Sequence, residues 1–185
     1  MSIKKSSSKP KQLELFPVPE LEHGGSTRPK KRKTLRPLDP KRSVHLVMRA
    51  TQAQGPWSML KPASQLYIRH LLTRLSRRYG IRVYKFANVG NHLHLLIKAP
   101  SRKAFQAFLR HFAGSIALRI TRAVKGNGLK KRFWDALAYT RVVNWGREFR
   151  AVSNYLVLNL FESVGLLNRK QEPTNRVRGI LVMAT

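Results

Sequence analysis

The chain has 185 residues, 42% of them hydrophobic, with 37 Lys and Arg against 8 Asp and Glu for a formal charge of +29, and no cysteine. That apolar content supports one domain with appendages, and no apolar run approaches the ~20 residues of a membrane span. The missing cysteines exclude a disulfide framework and a thiolate metal site, which fits a reducing, cytoplasmic interior and leaves His, amide and carboxylate groups as metal ligands. Residues 1–43 hold 12 basic and 4 acidic residues, a net of +8, and the other 142 hold 25 and 4, a net of +21. The excess belongs to the folded part, so the natural partner is a polyanion, nucleic acid ahead of a membrane surface.

Residues 1–42 read as a disordered basic tail rich in Ser, Lys, Pro and Gly. Lys4 and Lys5 are not followed by an apolar stretch, so no secretory signal is expected. Two islands stand out. Gln12, Leu13, Glu14, Leu15 and Phe16 place apolar anchors on a tether and resemble the short peptide that docks bacterial replication proteins on the sliding clamp. Pro29 to Lys33 reads as a polybasic arm for DNA.

The domain then alternates strands and helices. Val44 to Arg49 is a first strand, and Gln65 to Tyr79 a helix with Ile68, Leu71, Leu72, Leu75 and Tyr79 inward. Ile81 to Val89 and Leu93 to Lys98 form a hairpin turning near Gly90-Asn91. Ala104 to Val124 is a long helix whose stripe of Phe105, Phe108, Leu109, Phe112, Ile116 and Ile120 reads as core, and Lys125 to Gly128 ends it. Phe133 to Val143 is another strand, and Arg147 to Glu162 a helix with Phe149, Val152, Leu156 and Leu160 on its apolar stripe. This order is consistent with an α+β sandwich of antiparallel sheet and packed helices. The domain is expected over residues 43–168, with a polar tail over 169–185.

Two short stretches carry chemistry. His92 and His94 flank Leu93 in a strand, so both imidazoles project from one face. Such a pair can hold one divalent cation, or it can be a polar pair on a wet strand face. Tyr155 and Asn159 lie four apart on the last helix, one above the other. A phenol that attacks phosphorus needs a rigid mount and a metal on the phosphate, and Asn159 offers a neutral oxygen ligand. Alone, the two read as ordinary boundary residues of an amphipathic helix.

Together these stretches resemble the HUH single-tyrosine transposases, in particular the REP-associated tyrosine transposases of bacteria. The family usually reads Met-Pro-Asn-His-hydrophobic-His-Leu-Leu, against Val89-Gly90-Asn91-His92-Leu93-His94-Leu95-Leu96 here. Its catalytic helix usually reads Tyr-Ile-x-x-Asn-Pro, where this chain has Tyr155-Leu156-Val157-Leu158-Asn159-Leu160. Phe133-Trp134, Tyr139 to Val143 and the opening strand Val44 to Arg49 also look like the family's elements. Two departures matter. Val89-Gly90 replaces Met-Pro at a turn where Gly is at least as permissive, while Leu160 replaces Pro and removes a helix break.

The resemblance implies a ferredoxin-like or RRM-like fold and strand transfer on single-stranded DNA at hairpin-containing repeats. It implies Mg²⁺ or Mn²⁺ on His92, His94 and Asn159, with Tyr155 as nucleophile forming a 5′-phosphotyrosine. Insertion-sequence relatives share sites between two subunits and the REP-associated kind act as single chains, so monomer and homodimer both stand. A nucleoid-associated location follows. Arg102, Lys103, Arg110, Arg119, Arg122, Lys130, Lys131 and Arg132 are candidates for tracking the strand. Glu162, one turn beyond Asn159, is a weak general-base candidate and reads rather as a surface carboxylate; His45 could face the site from the first strand but reads rather as a satisfied structural histidine. The alternative is an RRM-like single-strand-binding module without catalysis, a decayed transposase, using Tyr84, Phe86 and Tyr139 as stacking platforms. A ribosome-associated structural protein explains the charge but not the coincidence of the two pairs.

Overall fold

The computed structural model describes residues 21–25, 35–123, 132–163 and 165–166. Five antiparallel strands form one sheet in the order β1-β5-β2-β4-β3. They are β1 (Glu22–His23), β2 (Ser43–Arg49), β3 (Arg82–Asn88), β4 (His92–Lys98) and β5 (Tyr139–Val143), with helices α1 (Pro62–Tyr79), α2 (Arg102–Thr121) and α3 (Arg147–Ser163). Without β1 and α3 the chain runs β-α-β-β-α-β, the ferredoxin-like arrangement expected from the sequence.

Strand alternation assigns each residue to a face. Val44, Leu46 and Met48 of β2 and Leu93, Leu95 and Ile97 of β4 are buried under α1 and α2, where Ile68, Leu71, Phe105, Phe108 and Phe112 complete the main core. The opposite face carries a smaller cluster, Ala87, Leu96, Val143 and Leu156, backed by Phe149, Val152 and Leu160 of α3. Thus α1 and α2 cover one face and α3 the other.

Local chemistry sets the element ends. Pro62 opens α1 and Gly80 closes it with φ +64°, its N–H donating to Arg77 and Ser76 carbonyls. Ser101 caps α2 by accepting from the Ala104 N–H (3.2 Å). That helix stops earlier than its periodicity suggests, at Thr121, because Arg122 turns left-handed with φ +55°. Gly90 bends the β3–β4 hairpin with φ +92°, and a Cβ there would meet Leu60 Cδ1 at 3.2 Å. Asn88 secures the turn, donating to the Met59 carbonyl (2.7 Å) and accepting from the Gly90 N–H (3.1 Å).

Two expectations need correction. The strand expected from Phe133 is confined to Tyr139–Val143. Phe133 turns into the main core, Trp134 Nε1 donates to the Ala113 carbonyl (3.0 Å), and Asp135 accepts from Thr51 N and Oγ1 (both 2.9 Å). Side-chain anchors, not a ladder, hold this segment. The 1–42 segment is also partly folded: Glu22 and His23 pair with Arg141 and Thr140. Arg36 donates to the Ala138 carbonyl (2.8 Å) and Thr140 Oγ1 (2.6 Å), and Arg102 donates to the Arg36 carbonyl.

Candidate active site

The β2–β4 register pairs Val47 with His94 and Arg49 with His92, so His45, Val47 and Arg49 share the α3 face with both histidines. Three imidazoles form a row. His92 and His94 stack with centroids 5.8 Å apart, and His94 and His45 at 5.7 Å. His92 Nδ1 bonds to Asn91 Oδ1, which orients the ring.

Helix α3 brings the other two residues to this row. Glu148 fixes its start, accepting from Asn144 N (2.9 Å) and Nδ2 (2.8 Å) and pairing with Arg141. With Leu156 buried against the sheet, Tyr155 stands on the flank, 43% exposed, and Asn159 is buried. Tyr155 is edge-on to His94 (6.0 Å) and to His45 (6.3 Å). It forms a wall between two openings. One, of about 540 Å³, is lined by His45, Arg49, His92, His94, Asp135 and Tyr139 among others. The second, of about 340 Å³, joins His92, His94 and Tyr155 to Asn159, Glu162 and Ser163. Helix α3 runs past Leu160 without a break, in keeping with the missing Pro, and so carries Glu162 into this opening.

Burial dominates the electrostatics. It holds His94 down to about 4, helped by His45 and His92, and His45 down to about 4, helped by Arg141. His92 is lowered by burial and by Arg49, against the pull of Asp135. All three rings are therefore neutral at pH 7 and keep a lone pair. Tyr139 is pushed up to about 12 by burial and by its hydrogen bond to Glu22. A phenol so held stays protonated at neutral pH, and both Tyr139 and Tyr155 lie edge-on to His45.

A divalent cation fits the donors present. His94 Nδ1 is buried without a hydrogen-bond partner, and the His92–His94 pair faces an opening that also contains the Asn159 amide. Among the described residues, no group of three or more His, Cys, Asp or Glu could hold a metal ion. The available set is two imidazoles and an amide, nitrogen and oxygen donors that phosphate and water oxygens would complete around a divalent cation.

His45 was underrated by sequence reasoning. Its Nε2 is buried with no hydrogen-bond partner, so it is not a satisfied structural histidine. Its place in the row depends on strand register, which two-residue alternation along β2 alone does not reveal. Arg102, Lys103, Arg110, Arg119 and Arg122 belong to α2 or its C-cap, on the reverse face of the sheet. Arg132 is exposed, with its carbonyl held by Gln52 Nε2 beside the Thr51–Asp135 contact. Gln12, Leu13, Leu15, Phe16, Lys130 and Lys131 lie outside the described residues, as does Pro29 to Lys33.

Of the expected stacking platforms, Tyr139 lines the larger opening, and Tyr84 and Phe86 are half-buried. An irregularity between Val83 and Lys85 inserts Tyr84 into β3, so Phe86 pairs with Leu95 and packs on the main core while Tyr84 packs under α3.

The family described as "Transposase IS200 like" matches residues 41–156. The chain belongs to the IS200-like transposase family. The matched span includes His92, His94 and Tyr155 and stops short of Asn159. The transposase fold is similar to that of a REP-associated tyrosine transposase solved bound to a REP hairpin, with a TM-score of 0.50 at 13% identity over 74% of this chain and 76% of that one. A second structure, assigned as a transposase from Deinococcus radiodurans R1, gives a TM-score of 0.41 at 18% identity over 68% of this chain and 93% of that one. No curated protein sequence matches the chain. Among the described residues, no helix of the transposase is long and apolar enough to cross a membrane.

Proposed function

We propose that this transposase is a metal-dependent single-stranded DNA endonuclease and strand transferase that works through a 5′-phosphotyrosine on Tyr155. The observation that carries the reading is the meeting of four residues from two distant segments. Exposed Tyr155 stands edge-on to His94, and the buried Asn159 amide shares an opening with the His92–His94 pair. No amphipathic-helix requirement brings a phenol and an amide to a pair of neutral imidazoles.

His92, His94 and Asn159 would hold Mg²⁺ or Mn²⁺. When bound, the ion supplies Lewis-acid polarisation of the scissile phosphate. Tyr155 Oη attacks phosphorus in line, a P–O bond to tyrosine forms, and the P–O3′ bond breaks. The phenolic proton leaves to water and the 3′ oxygen takes one up, giving a free 3′-hydroxyl. One ester is exchanged for another, so a second hydroxyl can reverse the step without ATP.

Hairpin DNA is the proposed substrate, supported by the fold's likeness to a transposase bound to a REP hairpin. Tyr155 is edge-on to His94 of its own chain, so the site is proposed to form in cis, in a monomer or a homodimer. Gln12 to Phe16 is proposed as a sliding-clamp peptide, and its deletion should abolish clamp binding. The binding-module alternative would rest on Tyr139, which lines the larger opening, since Tyr84 and Phe86 pack against the two apolar clusters.

The test is cleavage of REP-like hairpin DNA with Mg²⁺ or Mn²⁺, comparing wild type and Tyr155→Phe on denaturing gels. A metal-dependent covalent adduct present only in wild type is expected. Tight hairpin binding without an adduct, across several hairpins and both metals, would overturn the reading.

A further inference from the structure

Strand β1 is only two residues long, Glu22–His23, and offers no apolar side chain, yet its seat on β5 is closely fitted. The Leu21 carbonyl accepts from Val142 N (3.0 Å), and Gly25 N donates to the Leu137 carbonyl (2.8 Å). Gly24 and Gly25 follow with φ of +82° and +72°. A Cβ on Gly24 would overlap the Ala138 carbonyl oxygen, and one on Gly25 would meet Tyr139 Cβ at 3.0 Å. Only glycine lets the backbone lie so close to both residues. Arg36 grips the same stretch of β5 a second time, through the Ala138 carbonyl and Thr140 Oγ1.

What this seat delivers is Glu22. Register puts Glu22 opposite Arg141, Arg141 opposite His45 and Tyr139 opposite Val47, so all of them share the α3 face. The Glu22 carboxylate accepts a hydrogen bond from the Tyr139 hydroxyl. Tyr139 lies edge-on to His45 at 6.5 Å; His45 stacks on His94 at 5.7 Å and meets Tyr155 edge-on at 6.3 Å. Gly25 and Tyr139 also help to wall the opening of about 540 Å³ that Tyr155 borders. With His45 Nε2 lacking a hydrogen bond, the rings packed around it govern the tilt of this imidazole. One of those rings, Tyr139, is tied to the N-terminal segment.

We infer that Glu22 is a positioning residue for the Tyr155 reaction: carried in by β1, it holds Tyr139 against His45 and so sets Tyr155 and His94 in their attack geometry. Glu22 touches no reacting atom. The inference rests on the proposed role of Tyr155, and it gives residues 21–25 a part in the site although the family match begins only at residue 41.

Single-turnover adduct formation on REP-like hairpin DNA with Mn²⁺ would be compared for wild type, Glu22→Ala, Glu22→Gln, Tyr139→Phe and Gly24→Ala. Histidine ring NMR signals would be recorded for each full-length protein without DNA or metal. At saturating DNA, Glu22→Ala should slow adduct formation about tenfold or more, since a misplacement of about 1 Å can cost ~10²-fold. Its DNA Kd should be no weaker than that of wild type. Glu22→Gln keeps an acceptor for the Tyr139 hydroxyl and should recover most of the rate. Combining Glu22→Ala with Tyr139→Phe should be no slower than either alone, because both cut the same link. The His45 and His94 ring signals should shift in Glu22→Ala, while those of His70 and His111, on α1 and α2, stay in place. Gly24→Ala, which unseats β1, should do at least as much in both readouts. A wild-type rate in Glu22→Ala, a loss seen only as weaker DNA binding, or a Glu22→Gln rate as low as that of Glu22→Ala would overturn the inference. A wild type that forms no adduct would overturn the Tyr155 reading instead. The ring signals then decide, and unmoved His45 and His94 signals would overturn the role of Glu22.

Discussion

On one side of β4, Leu93, Leu95 and Ile97 are sealed under α1 and α2; on the other, His92 and His94 alternate with them and open to solvent past Tyr155. The same strand serves both purposes because its period is two. Among the described residues, the α1–α2 side concentrates apolar burial inside and arginine outside, whereas the α3 side concentrates neutral imidazoles, carboxylates and a phenol. Asp135, Glu148, Glu22 and Glu162 all serve the α3 side or its rim. The core side thus mounts the reactive side rigidly, without sharing its chemistry.

Substitutions on the two faces should fail differently. Tyr155→Phe is expected to lower adduct formation by at least ~10³-fold, since the nucleophile is gone, with unfolding free energy within ~0.5 kcal/mol of wild type for an exposed residue. His92→Ala, or a chelator with the wild type, should lower it by ~10² or more, and excess Mn²⁺ should restore the chelated protein but not the variant. Phe108→Ala reverses the pattern. Phe108 is fully buried and stacks on Phe112 at 5.4 Å, so denaturant unfolding should show a destabilisation of about 3–5 kcal/mol. The molecules that remain folded should still form adduct.

The histidine row gives a pH signature that the opposite face lacks. His45 and His94 sit at about 4 in the folded protein against 6.5 when exposed. Between those values the unfolded chain binds more protons, so stability without added metal should fall as pH drops from 6.5 towards 4. The expected fall is on the order of 2–3 kcal/mol per histidine, and His45→Leu should flatten the curve. Gly90→Ala is the mildest test, about 1 kcal/mol from the left-handed turn and the Leu60 contact, read from the melting midpoint.

Periodicity made most of the framework legible in the sequence. The apolar stripes of α1, α2 and α3 and the alternation of β2 and β4 are local patterns, and the strands and helices they imply are present. Features set by tertiary contacts were not legible. Glu22–His23 is a strand because β5 pairs with it, not because of its own residues. Phe133 and Trp134 look extended in sequence, yet they are drawn into contacts with the core and Ala113. His45 needs the β2–β4 register to become the neighbour of His94. The α2 cations are visible in the sequence, but their separation from Tyr155 depends on which face of the sheet the helix covers.

The most direct test of the account is to map the DNA-linked peptide by mass spectrometry after reaction with single-stranded hairpin DNA and Mg²⁺ or Mn²⁺. Tyr155 and Tyr139 both lie edge-on to His45, but it is Tyr155 that shares an opening with His92, His94 and Asn159. A nucleotide on Tyr155 alone is the expected result. Attachment at Tyr139, or at any other residue, would contradict it.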